Sequence, residues 1–254
     1  MHGGDCGGVL TETQGLIEYK LNETYNRYER CLWTIRSPYR TKIRLSLLES
    51  GMQQRYDNIQ IKTFNGSGIR DSFVFTVAPR TVTMVGTVTL VLFTSNLANE
   101  GTGFSLSYAV EAEYDNSLLY YEDQHRIMDV VGGDLVRFPE SGLYRNLELS
   151  TLTFIRPHFN PYETIDMNIT SLELEAGVDG QCRDRLHVYV IKEPGTVEPN
   201  LNHFFRYTPE DGICQSTDLS PVTPFVRAYG IVLILATDQQ GRGNGFEIGI
   251  KSPT

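Results

Sequence analysis

The residue types that do chemistry are spread thinly along this chain. Five histidines, His2, His125, His158, His187 and His203, are scattered over 254 residues, and none sits in an HExxH run or beside a GxSxG. A general base must be held within hydrogen-bond reach of its nucleophile, and no spacing here announces such a pair. His187 lies in an alternating apolar run and reads as a cross-strand surface or packing residue rather than a base. Ser216 and Asp218 follow Cys214 in a loop fragment that makes no triad. Gly101-Thr102-Gly103 lies between two strand-like segments, whereas a phosphate loop opens a helix. The chain is expected to be no enzyme.

Four cysteines, Cys6, Cys31, Cys182 and Cys214, carry the remaining covalent chemistry. No CxxC or close Cys/His spacing exists, which argues against a thiolate metal site. Four cysteines permit three pairings. If the chain divides near residue 112, the pairing that keeps both bridges inside a half is Cys6–Cys31 with Cys182–Cys214. Each loop closure would then contribute about 3 kcal/mol. Four reduced, buried cysteines in a cytosolic protein are the other reading of the same count. Three sequons, at Asn22, Asn65 and Asn168, fit a secretory route. The opening MHGGDCGG has no basic segment followed by an apolar one, so a secreted protein would be represented here without its signal peptide.

These residues must be positioned by strands. Lys42 to Leu47, Asn58 to Lys62 and Phe104 to Val110 alternate with a period of two, and the second half repeats the plan at Ile165 to Leu174, Leu186 to Ile191 and Phe246 to Ile250. No window holds a 3.6-residue period over helix length. The longest apolar runs, VTLVLF at 88–93 and GIVLILA at 230–236, are strand length and too short to span a bilayer. Both halves end alike. LVLFTSN leads to GTGFSL in the first, and LILATD leads to GNGFEI in the second, about 142 positions on. Such self-similarity predicts a duplicated domain, with 1–112 and 113–254 as the two units. Residues 118–129 are left as either a short linker helix or an irregular strand. The predicted fold class is all-β, two antiparallel jelly-roll sandwiches in tandem. With 31 acidic against 22 basic residues the formal charge is −9, which disfavours nucleic acid and anionic membranes as partners.

The first half resembles a CUB domain, an extracellular jelly-roll module of complement proteases, developmental metalloproteases, adhesins and endocytic receptors. The resemblance rests on Cys6-Gly7-Gly8, on Cys31-Leu32-Trp33-Thr34-Ile35 followed by Pro38, on Glu49 with Tyr56-Asp57, and on Gly103-Phe104, and covers nearly all of residues 5–110. The family's usual second disulfide is missing there, Gln54 and Arg55 standing where a cysteine would be. The second half looks like a divergent copy, lacking the first disulfide and the tryptophan but keeping Cys182-Arg183-Asp184-Arg185-Leu186 and Cys214.

The resemblance implies calcium, held by a Glu, the Asp of the Tyr-Asp element and an Asp opening the last loop. Carboxylate and amide oxygens suit this ion, which takes six to eight of them. Carried onto this sequence, the ligand candidates are Glu49, Asp57 and Asn96 in the first half and Glu175, Asp184 and Asp238 in the second. Asn96 replaces an Asp and costs the first set one charge, with Asn99 and a nearby carbonyl available to complete the shell. Glu173 rivals Glu175 if the register slips. The resemblance further implies a protein partner whose Lys or Arg meets calcium-ordered acids, with Glu49, Tyr56, Asp57, Glu175 and Asp184 in contact. Arg183 and Arg185 beside the second set weaken that expectation there. The alternatives are a calcium-independent carbohydrate-binding or adhesion protein, with Tyr114, Tyr120, Tyr121 and Tyr162 stacking on sugars, or a spacer or dimerisation module of a larger secreted protein.

Overall fold

The computed structural model describes residues 2–3, 6–37, 41–53, 56–65, 68–96, 101–111, 124–128, 133–155, 164–177, 181–192, 204–216 and 225–251. Through the first 111 residues run β1 (His2–Gly3), β2 (Gly8–Leu10), β3 (Gln14–Thr24), β4 (Arg30–Arg36), β5 (Lys42–Ser50), β6 (Asn58–Asn65), β7 (Gly68–Phe75), β8 (Arg80–Val85), β9 (Val88–Thr94) and β10 (Thr102–Glu111). The remainder supplies β11 (His125–Met128), β12 (Asp134–Phe138), β13 (Leu149–Ile155), β14 (Ile165–Glu173), β15 (Arg185–Ile191), β16 (Phe204–Arg206), β17 (Phe225–Ala228), β18 (Gly230–Ala236) and β19 (Gly245–Lys251). The protein is all-β, and its sheets build two jelly-roll sandwiches.

The first sandwich pairs the sheet β1-β3-β10-β5-β8 with β2-β4-β9-β6-β7, and the second pairs β12-β19-β14-β17 with β11-β13-β18-β15-β16. Strand pairing is antiparallel except where the short β1, β2 and β11 lie parallel to a longer neighbour. Each sandwich closes on its own apolar core. In the first, Tyr19, Trp33, Phe93 and Phe104 meet edge-on or tilted, 5.5 to 6.1 Å between ring centres. In the second, Phe138 and Phe246 stack among Leu, Ile and Val side chains. Disulfides join Cys6 to Cys31 and Cys182 to Cys214, one to each sandwich, and no described cysteine is free.

A third apolar cluster joins the two sandwiches. It draws Leu32, Phe64, Val88, Leu90 and Leu92 from one sheet and Leu149, Ile155, Tyr189, Ile191, Phe204, Val232, Ile234 and Ala236 from the other. This explains the composition of β9 and β18. Every residue of both is buried, because one face of each strand fills its own sandwich and the other fills the inter-sandwich layer. Strands covered on both sides have no polar face to alternate with, and so become continuous apolar runs. Phe64 meets Tyr189 edge-on at 5.0 Å, and Arg30 lies 4.3 Å from the ring centre of Tyr229. The result is four sheets in layers, with the outer two presenting hydroxyl and charged side chains such as Ser46, Thr81, Asp166, Thr170 and Arg227.

Candidate metal centre

At one end of the second sandwich the chain brings three carboxylates together. Glu175 follows β14, Asp184 precedes β15 and Asp238 follows β18, and one oxygen of each lies within 4.8 Å of the others. Among the described residues this is the one group of three or more such side chains. Asp184 is fully buried. Its Oδ2 accepts the hydroxyl proton of Tyr144 and its Oδ1 accepts the backbone N–H of Asp238 at 2.8 Å. The Tyr144 hydroxyl in turn accepts the N–H of Glu175 at 2.9 Å, so one phenol ties two of the three acids. Glu175 Oε2 is buried with no partner among the described residues. Burial raises the pKa of Asp184, the Tyr144 and Asp238 hydrogen bonds pull it down, and the charges of Asp238 and Glu175 push it up again. Burial and hydrogen bonding to Asp184 likewise raise the Tyr144 phenol far above its ordinary value. Three acids this close repel, and a divalent cation is the group that turns that repulsion into attraction.

The first sandwich carries the same frame. Tyr25 donates to Asp57 Oδ2 and accepts the N–H of Gln53 at 3.1 Å, and Asp57 Oδ1 accepts the N–H of Asn96 at 2.8 Å. The backbone agrees: Tyr25 N–H donates to Gly101 and Tyr144 N–H to Gly243, while Tyr28 N–H donates to Asn96 and Leu147 N–H to Asp238. Tyr28 and Leu147 both adopt positive φ, 57° and 55°. Ser95 and Thr237 then bond the N–H of Glu29 and Glu148, each glutamate 2 % exposed.

This correspondence pairs Gln53 with Glu175 through their N–H bonds to Tyr25 and Tyr144. Gln53, not Glu49, stands where Glu175 stands, with its Oε1 likewise buried and unpartnered among the described residues. Glu49 is exposed at the end of β5, paired across the ladder with Ser105. The first set is therefore Gln53, Asp57 and Asn96, with one carboxylate against three in the second. Glu173 is exposed and accepts from Asn244 Nδ2 at 2.6 Å, outside the cluster. Tyr56 is 52 % exposed beside Asp57. Asn99, Tyr114, Tyr120, Tyr121 and Tyr162 lie outside the described residues, as do His158, His203 and Asp218.

Tyr25, Tyr144 and Gln53 escape a reading that looks only for acids. Their signal is nonetheless in the sequence: Tyr25-Asn26-Arg27-Tyr28-Glu29 and Tyr144-Arg145-Asn146-Leu147-Glu148 share a Tyr-x-x-x-Glu spacing in the two halves.

Each jelly roll carries one disulfide, and at one end of the second the loops bring three carboxylates together. The CUB domain family matches residues 6–108, and this first unit belongs to that family. A search of curated proteins by sequence returns no match. Solved structures similar to the chain include the CUB1-EGF-CUB2 domain of human MASP-1/3, at 11 % identity and TM-score 0.37, covering 95 % of this chain and all of that one. The CUB1-EGF-CUB2 domains of rat MASP-1 align at 13 % and 0.36, over 96 % of this chain and 99 % of that one. The MASP-1 CUB2 domain bound to Ca2+ aligns at 22 % and 0.33, over 40 % of this chain and 96 % of that one. Among the described residues no helix is long and apolar enough to cross a membrane.

Proposed function

We propose that the chain is an extracellular, non-catalytic interaction module that holds one calcium ion in its second sandwich and there binds a protein ligand through an exposed Lys or Arg. The observation that carries this is the cluster of Glu175, Asp184 and Asp238, tied by the Tyr144 hydroxyl, with one carboxylate oxygen buried and unpartnered. Calcium supplies a fixed double positive charge that orders the loops; backbone carbonyls and water fill the rest of its shell. The protein's own part is to aim three carboxylates at one point and to leave acidic oxygen facing a cationic side chain. Gln53, Asp57 and Asn96 offer a single charge in the equivalent place, and affinity for calcium follows the number of charged ligands. The first sandwich accordingly works without the metal. Glycans on Asn22 and Asn168, both exposed on their strands, suit a secreted or ectodomain setting.

A role as a rigid spacer is the second reading, favoured by the apolar layer that joins the sandwiches. Capture of the protein on an immobilised lysine-rich peptide separates the two. The metal-dependent reading expects retention in calcium, loss in EDTA, and at least about tenfold weaker binding for Asp184→Asn and Asp238→Asn. Equal retention with calcium and with EDTA contradicts it.

A further inference from the structure

Among the described residues one imidazole, that of His187, is fully buried at the inter-sandwich layer. His187 lies in the middle of β15, 1 % exposed, on the face turned toward the first sandwich. Across the sheet it pairs with Ile234, which pairs in turn with Thr151. Two glycines hem the ring. A Cβ on Gly68, in the β6–β7 hairpin of the first sandwich, would sit 3.8 Å from its Cε1, and a Cβ on Gly212 would sit 3.1 Å from the same atom. Neither ring nitrogen has a hydrogen-bond partner among the described residues.

The charges acting on the ring come from the second sandwich. Arg185 lies two residues before it on the same strand face, Arg206 ends β16, and Asp211 lies in the following turn; the two cations oppose protonation and the single acid favours it. On the first-sandwich side, residues 65–69 contain no titratable side chain, and Lys62 on the same hairpin is bonded to Ser72 Oγ at 2.7 Å. His125 lies three strands over, on β11, and its ring Nδ1 is hydrogen-bonded to Thr151 Oγ1 at 2.9 Å.

We propose that His187 is an acid-operated latch: a proton on its ring loosens the contact between the two sandwiches while each sandwich keeps its fold. A neutral imidazole packs in this layer as an aromatic disc. A protonated one carries two N–H donors without a hydrogen-bond partner among the described residues and a positive charge beside two arginines, a combination that buried surroundings penalise heavily. Opening the layer returns the ring to water. Burial above all, then Arg185 and Arg206, lowers the ring's pKa from 6.5 to about 4 in the closed form. The sign follows from linkage. The open form binds the proton more tightly, so the closed form is favoured above pH 6.5 and loses ground as pH falls toward 4. Between pH 7.4 and pH 5 the open-to-closed ratio rises roughly 25-fold.

The test uses the full chain in saturating calcium, with Val232→Cys as a thiol reporter inside the layer and Ile248→Cys as a control inside the second sandwich. Labelling by dithiodipyridine, normalised to a free thiol at each pH, reports how often each site opens. The latch predicts that protection of the layer thiol falls roughly 25-fold from pH 7.4 to pH 5 while the control changes little, and that His187→Phe and His187→Asn each reduce that fall to under about threefold. It is overturned if the layer thiol keeps its protection at pH 5, if both thiols lose protection together, or if either folded variant responds like the parent. Should neither variant fold, the imidazole proton resonances of the parent decide: titration below about pH 5 in the closed form supports the latch, and titration near 6.5 overturns it.

Discussion

Tyr25 and Tyr144 do equivalent work with different surroundings. Each phenol is buried, donates to a buried aspartate and accepts a backbone N–H from the residue that opens the ligand loop. Replacing Tyr144 by Phe leaves the Asp184 carboxylate short of a donor and the Glu175 N–H short of an acceptor. Tyr144→Phe is expected to cost about 1–3 kcal/mol of stability in urea unfolding and to weaken calcium binding at least about tenfold, because Glu175 is no longer aimed. A variant as stable as the parent and with full calcium affinity would remove the phenol from the account. At this scale the sequence is only partly legible. The acids Asp184 and Asp238 are found by type and position, and the structure brings them together. Glu49 and Gln53 show how residue type and structural place can diverge. The resemblance points to the glutamate, yet it is the loop after β5 that faces the site, and an amide occupies the equivalent place there. Only the hydrogen bond from the Gln53 N–H to Tyr25 reveals that equivalence.

Strands and loops were more legible than ligands. Alternation located β5, β6, β10, β14, β15 and β19 within a few residues of their ends. It missed β3, where Leu16 is 41 % exposed and Lys20 adopts φ 44°, so that inward and outward positions change phase partway along. It also missed the edge strand β8, whose Thr-rich outer positions carry little apolar signal. The Gly-Phe motif shared by the two halves has a packing cause. Gly245 has φ +85°, and a Cβ there would sit 1.9 Å from the carbonyl oxygen of Phe138; at Gly103 it would sit 1.6 Å from that of Tyr19. The following Phe104 and Phe246 each enter a core. Gly245→Ala is therefore expected to destabilise by more than about 2 kcal/mol, from the strained conformation and from the displaced β12. Chemical denaturation checks this, and a loss under about 0.5 kcal/mol would show that the strand can move aside without cost.

For the whole molecule, the sequence foretold two units and not how they meet. VTLVLF and GIVLILA read as core strands, which they are, but a run buried on both faces does not say what covers the second face. Here each covers the other's sheet, and the two domains share an apolar layer. That layer buries His187, the residue on which the proposed acid response rests. The two frames carry unequal charge, one carboxylate in the first against three in the second, so the proposed calcium site is confined to the second sandwich. The central claim, one calcium ion per chain in the second sandwich, is tested most directly by isothermal titration of metal-stripped protein with calcium, using magnesium as the control. Saturation at one ion is expected, with an affinity between about 10⁻⁶ and 10⁻³ M, unchanged in Asp57→Asn and lost in Asp238→Asn. Binding of two equivalent ions, or none at several times the upper concentration, would contradict it.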